Sequence, residues 1–118
     1  MISMGQETDV TTAAVRLELD GDIAHLVLDD PNASANTMNA AFREGFAAAL
    51  DALDAVIAAG EPVRGVVLRS AKSTFFAGGD LAELLATTPE TAGFLFGQVE
   101  GIKAGLRRLE RIGRPVVA

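Results

Sequence analysis

The sequence predicts an α/β fold with a mostly parallel sheet, and three observations carry that prediction. Apolar residues alternate at period two over residues 15–19 and run together over 23–28 and 65–70, the patterns of half-buried and buried strands. Two longer segments repeat apolar residues at the spacing of amphipathic helices. After a first hairpin, strands and helices alternate, the order that crossover units need to bring parallel strands side by side.

Each element has its own signal. Val15-Arg16-Leu17-Glu18-Leu19 is the first hairpin arm, Asp20-Gly21-Asp22 the turn and residues 23–28 the second arm. Residues 30–37 read as a loop. Asn39 can cap a helix predicted to run to about residue 59, with Phe42, Phe46, Leu50, Leu53 and Ile57 on one face. Gly60 ends it. Residues 65–70 form a core strand. A short helix over about 80–86 is stopped by Thr87-Thr88-Pro89. The last helix is predicted over about 90–112, with Leu95, Val99, Ile102, Leu106 and Leu109 on one stripe, and Pro115-Val116-Val117-Ala118 opens another strand. Gly93, Gly97, Gly101 and Gly105 recur every four residues in that helix. An interior glycine costs a helix about 1 kcal/mol relative to alanine, so four predict close packing against another element. A membrane glycine zipper is the alternative, and Gln98, Glu100 and Lys103 between the glycines argue against it.

Composition bounds the function. A chain of 118 residues holds one small domain, read as a flexible tail over 1–14 and a domain over 15–118. An apolar fraction of 49% supplies a core, and a net charge of −6 disfavours nonspecific nucleic-acid binding. The absence of cysteine excludes disulfides and thiolate chemistry and fits a cytoplasmic protein. No apolar run approaches the roughly 18 residues of a membrane span, and no signal-peptide pattern opens the chain.

The chemistry concentrates at Thr74-Phe75-Phe76-Ala77-Gly78-Gly79-Asp80, a small-residue loop between a strand and a helix. Ala77, Gly78 and Gly79 let a ligand approach the backbone. Free N–H groups where a helix begins suit an oxygen that gains negative charge, which is the layout of an oxyanion hole. A plain strand-to-helix turn is the alternative. Ala71-Lys72-Ser73-Thr74 is no nucleotide P-loop, because alanine precedes the lysine and Val66 stands where the first glycine belongs. No dinucleotide fingerprint or metal-ligand spacing exists. His25, the only histidine, lies on a strand and reads as structural. Arg107, Arg108, Arg111 and Arg114 form a basic helix end that complements the helix dipole, with a phosphate contact as the alternative.

Phe-Phe-Ala-Gly-Gly-Asp-Leu at 75–81 resembles the signature of the crotonase (enoyl-CoA hydratase/isomerase) superfamily. The resemblance extends to residues 23–31, to Asn36-Thr37-Met38-Asn39, to 65–70 and to 113–118, and is greatest to the hydratase region of multifunctional fatty-acid β-oxidation alpha chains. It implies the N-terminal portion of a ββα-repeat spiral fold, truncated before the second half of the active site. It implies that the backbone N–H of Gly79 is an oxyanion donor, and that Asn36, Met38, Ala77, Gly78 and Asp80 line the coenzyme A site, with Asp80 a helix cap rather than a catalyst. Many relatives carry a basic residue before the Asn36 stretch; here Lys72 or an arginine would have to replace it. Coenzyme A enters as part of the acyl-CoA substrate, with no separate cofactor and no metal. The assembly implied is a trimer, or a complex with a thiolase. In the family, two glutamates and a second N–H follow the Pro-Val-Val-Ala strand. The 118 residues alone are therefore expected to be inactive. Two alternatives stay open: a non-catalytic interaction module, and another superfamily reaction such as an isomerase, thioester hydrolase, decarboxylase or dehalogenase.

Overall fold

The computed structural model describes residues 13–79 and 81–118, without the side chains of Leu81 and Ala82. Strands β1 (Val15–Asp20) and β2 (Ile23–Leu28) pair antiparallel, from Val15 opposite Leu28 to Asp20 opposite Ile23. Gly21 turns the hairpin at a φ of 63°, a conformation natural to glycine. Helix α1 (Ala40–Ala58) carries the chain to β3 (Gly65–Ser70), parallel to β2. Helices α2 (Leu81–Leu85) and α3 (Ala92–Glu110) carry it to β4 (Val116–Val117), parallel to β3. The sheet order is β1-β2-β3-β4, the mostly parallel α/β arrangement expected from the sequence.

Helix α1 has the ends its sequence specifies. Asn39 Oδ1 accepts the Phe42 N–H at 2.8 Å. At the other end Gly60 sits at a φ of 90°. Its N–H donates to the Ile57 carbonyl at 3.0 Å and the Glu61 N–H to the Val56 carbonyl at 3.2 Å, a Schellman closure. Phe42, Phe46, Leu50 and Leu53 are buried, and Phe42 and Phe46 stack at 5.4 Å.

The sheet has two unlike faces. Alternation turns Ala24, Leu26, Leu28 and Val66 toward the helices, where they join the α1 face in one core with Ile102 and Leu109 of α3. The opposite face is a polar ladder. Arg16 donates to Glu18 at 2.7 Å and to Asp29 at 2.9 Å; Arg69 reaches Glu18 at 3.2 Å and His25 Nδ1 at 3.3 Å; Lys72 lies 3.2 Å from Asp29. The hydrogen bond from Arg16 holds the carboxyls of Glu18 and Asp29 below their ordinary range, and Lys72 adds to the effect on Asp29. Val27, flanked in register by Arg16 and Arg69, is nonetheless fully buried. Arginine stems can cover such a residue while their heads stay wet.

Helix α3 departs from expectation. It is shorter than the predicted 90–112, because Pro89 precedes it and the Thr88 N–H donates to Thr91 Oγ1 at 2.9 Å in a turn before it. Of its predicted stripe, Ile102 and Leu109 are buried, but Val99 and Leu106 are each 46% exposed. The glycine packing holds at one position only. A Cβ on Gly105 would meet Phe46 Cε2 at 2.8 Å, whereas Gly93, Gly97 and Gly101 have nothing within 4 Å. The two long helices meet near Gly105 and part toward the start of α3. There a groove of about 450 Å³ opens, lined by Arg43, Ala47, Gly97 and Gly101 among others. Among the described residues no helix is long and apolar enough to cross a membrane. Residues 1–12 of the expected tail lie outside the described residues; Ala14 is buried, and its carbonyl accepts the Asp29 N–H at 2.8 Å.

Candidate functional site

Two loops leave the same edge of the sheet, at the carboxyl ends of the parallel strands β2 and β3, where open α/β sheets present their ligand sites. One runs from Asp29 to Asn39 and the other from Ala71 to Gly79. Asn36 joins them. Its side chain is 3% exposed as a residue and fully engaged. Oδ1 accepts the Asp30 N–H at 3.0 Å, while Nδ2 donates to Ser70 Oγ at 3.0 Å and faces the carbonyls of Leu28 at 3.2 Å and Phe75 at 3.3 Å. Asp30, also buried, accepts from the Asn32 N–H at 2.9 Å and from Asn39 Nδ2 at 2.8 Å, so the helix cap and the loop share one network. Ser70 completes it by donating to the Thr74 carbonyl at 2.7 Å.

The backbones then pair directly. The Ala77 N–H donates to the Asn36 carbonyl at 2.7 Å and the Met38 N–H to the Gly78 carbonyl at 2.8 Å, forming a parallel bridge between Met38 and Gly79. In parallel pairing, alternate amides on one strand turn away from the partner. The Gly79 N–H is such a group, with no hydrogen-bond partner among the described residues, on an exposed residue. Gly78, at a φ of 94°, makes the bend that presents it. Gly79 itself lies outside the left-handed region, and a Cβ there would meet only Leu84 Cδ1 at 3.7 Å. Helix α2, with five residues, contributes little dipole, so what this loop offers an oxygen atom is the amide itself.

Arg43 on α1 braces the arrangement. Its Nη1 donates to the Met38 carbonyl at 3.0 Å and to Glu83 Oε1 at 3.1 Å, and its Nη2 to Glu83 Oε2 at 3.0 Å. Beside the paired loops lies an apolar cleft of about 120 Å³ between Met38, Leu68, Phe75, Phe76 and Leu106.

The structure thus brings together Asn36, Met38, Ala77, Gly78 and Gly79, which the sequence singled out; Asp80 lies outside the described residues. Asn36 holds protein groups rather than facing outward. Lys72 is committed to Asp29 with its side chain 14% exposed, so it does not offer a free ammonium to a phosphate. Arg108 is paired with Asp51 at 3.0 Å and Asp54 at 2.7 Å, and Arg114 donates to the Val63 and Ile112 carbonyls. Sequence reasoning missed Arg43, Ser70 and the burial of Asp30. Nothing in the spacing of Arg43 and Glu83, forty residues apart, announces their pairing. The polar run through Asp30, Asn36 and Asn39 was the available signal for the rest.

No protein-family model and no curated protein matches the sequence. Solved structures do match. An enoyl-CoA hydratase from a Polaromonas species aligns at 26% identity and a TM-score of 0.70 over 90% of this chain and 40% of its own. PA4980 of Pseudomonas aeruginosa aligns at 29% identity and 0.66 over 90% and 43%. An enoyl-CoA hydratase from Thermoplasma volcanium aligns at 24% identity and 0.68 over 91% and 40%. The chain spans about 40% of the length of the structures it matches. Its fold is that of the N-terminal portion of the crotonase (enoyl-CoA hydratase) fold.

Proposed function

We propose that these residues form part of the acyl-CoA site of an enoyl-CoA hydratase or isomerase, with the Gly79 N–H as one donor to the thioester oxygen. The observation that carries this reading is the paired-loop geometry. Two short hydrogen bonds, at the Ala77 N–H and the Gly78 carbonyl, fix the backbone that leads into Gly79 and leave its own N–H without a partner among the described residues. A donor held rigid before charge develops stabilises the enolate more than the ground state, which lowers the barrier. The likeness to enoyl-CoA hydratase structures supports the same chemistry. Ala77, Gly78, Met38 and Asp80 lie along the coenzyme A moiety, Asn36 acts by holding the loops, and the cleft beside Phe75 receives the start of the acyl chain. Coenzyme A is part of the substrate and no other cofactor takes part. The role is in fatty-acid β-oxidation in the cytoplasm, within a trimer or a thiolase complex. Exposed Leu85, Phe94 and Phe96 favour a second reading, in which the chain is a binding module for a partner protein.

The test is kinetic, in a crotonyl-CoA hydratase that contains these residues. Gly79→Pro removes the N–H and is expected to lower turnover about 10²–10³-fold, with a smaller change in KM. Gly79→Ala keeps the N–H and fits the open space, so it should retain activity. A folded proline variant that turns over at the parental rate overturns the assignment.

A further inference from the structure

The Arg43 fork has no part in the proposed chemistry, yet it ties the Met38 strand that pairs with the Gly79 loop to the helix that follows Gly79. We propose that Arg43 is a positioning residue that sets the Gly79 amide. The proposal rests on the reading of Gly79 given above, and it deepens that reading by naming what holds the donor.

The geometry supports this in three steps. Arg43 is on α1, a nineteen-residue helix whose apolar face is locked in the core. Its guanidinium carries that rigidity outward, with its side chain only 13% exposed. One nitrogen grips the Met38 carbonyl, on the residue whose N–H holds Gly78. The same guanidinium grips both oxygens of Glu83, which stands in α2 four residues after Gly79. The donor loop is thus held from both sides through one planar group. A bidentate arginine–carboxylate pair fixes angle as well as distance, which a lysine cannot do. At five residues α2 is too short to be stable by itself, and the ion pair anchors it to α1.

The test is amide hydrogen exchange with assigned resonances on the 118-residue chain carrying Phe94→Ser with Phe96→Ser, which removes two exposed rings that favour association. The variants are Arg43→Lys, Arg43→Ala and Glu83→Gln. The reporters are the Ala77 and Met38 amides, whose hydrogen bonds zip the loops, and the chemical shift of the Gly79 amide. In Glu83→Gln and Arg43→Lys the reporters should exchange about tenfold faster, the effect of losing one charge-assisted bond. The Gly79 resonance should move, while the core amides of Leu26 and Val66 keep their protection. That separation distinguishes positioning from general stabilisation. Glu83→Gln decides the matter if Arg43→Ala unfolds, because it breaks the fork at a partly exposed position. Parental exchange at Ala77 and Met38 with an unmoved Gly79 resonance overturns the proposal. So does an equal acceleration at Leu26. None of these readouts involves coenzyme A. Failure here leaves the Gly79 donor standing, and failure of the Gly79 kinetics leaves the brace standing.

Discussion

Two alanine substitutions on one helix face should differ clearly in their effect on stability. In Gly105→Ala the new Cβ would meet Phe46 Cε2 at 2.8 Å, Phe46 Cδ2 at 3.2 Å and Leu50 Cδ1 at 3.4 Å. Phe46 is 3% exposed and stacked on Phe42, so the ring has little room to withdraw. Overpacking of this kind costs about 1–3 kcal/mol. The gain in helix propensity from glycine to alanine offsets about 1 kcal/mol of it. Gly101→Ala has nothing within 4 Å and takes the propensity gain alone. The propensity contribution cancels in the comparison, leaving Gly101→Ala more stable than Gly105→Ala by about 1–3 kcal/mol. For a domain of this size that is a Tm difference of at least about 4 °C. The assay is thermal and urea unfolding at one fixed protein concentration, since association would shift both. Equal stability of the two variants, or a stabilised Gly105→Ala, would refute the close approach of α1 and α3 at Gly105.

Asn36→Ala should cost about 2–4 kcal/mol, because it strands the buried Asp30 N–H and breaks the tie between the loops; urea unfolding checks it. Arg16→Met should flatten the acid limb of the stability profile. Glu18 and Asp29 have depressed folded-state values, so their contribution is present above the unfolded carboxylate value of about 4 and is lost as pH falls through the folded values. Both are partly exposed, so the effect is modest and salt-sensitive, and an unchanged profile would contradict the ladder. The polypeptide assayed alone should associate through exposed apolar surface, since Phe94 is 68% and Phe96 66% exposed on α3 and Val117 is 59% exposed on the edge strand β4. Sedimentation should show species above 12.2 kDa that Phe94→Ser with Phe96→Ser reduces. Alone it should not hydrate crotonyl-CoA. Glu83, the first carboxylate in the described chain after Gly79, is bound by Arg43, and each missing acid–base group costs typically about 10²–10⁴-fold.

The legible parts of the sequence were those with local causes. The hairpin followed from alternation and Gly21, and α1 from Asn39, its apolar spacing and Gly60. The loop at 74–80 was visible because small residues between a strand and a helix have few other uses. The parts that misled depend on distant geometry. The glycine spacing of α3 is the same at all four positions, but only Gly105 has a helix against it, because the approach of α1 is set by packing rather than by α3 itself. Val99 and Leu106 carry an apolar pattern and yet stand partly in solvent. Nothing local to Arg43 marks it, because the carboxylate it pairs with stands forty residues later. Asn36 lay within a legible motif, but its burial and four partners follow from the meeting of two loops.

The central claim, that Gly79 offers its N–H to a thioester oxygen, is tested most directly by comparing acetyl-CoA with S-ethyl-CoA, which lacks that oxygen. Both are titrated to saturation against the isotopically labelled protein while amide resonances are followed. The account predicts that Met38, Ala77 and Gly78 respond to both ligands, and that the Gly79 amide moves downfield with acetyl-CoA alone. A Gly79 resonance that ignores acetyl-CoA, or that responds identically to the thioether, would contradict it.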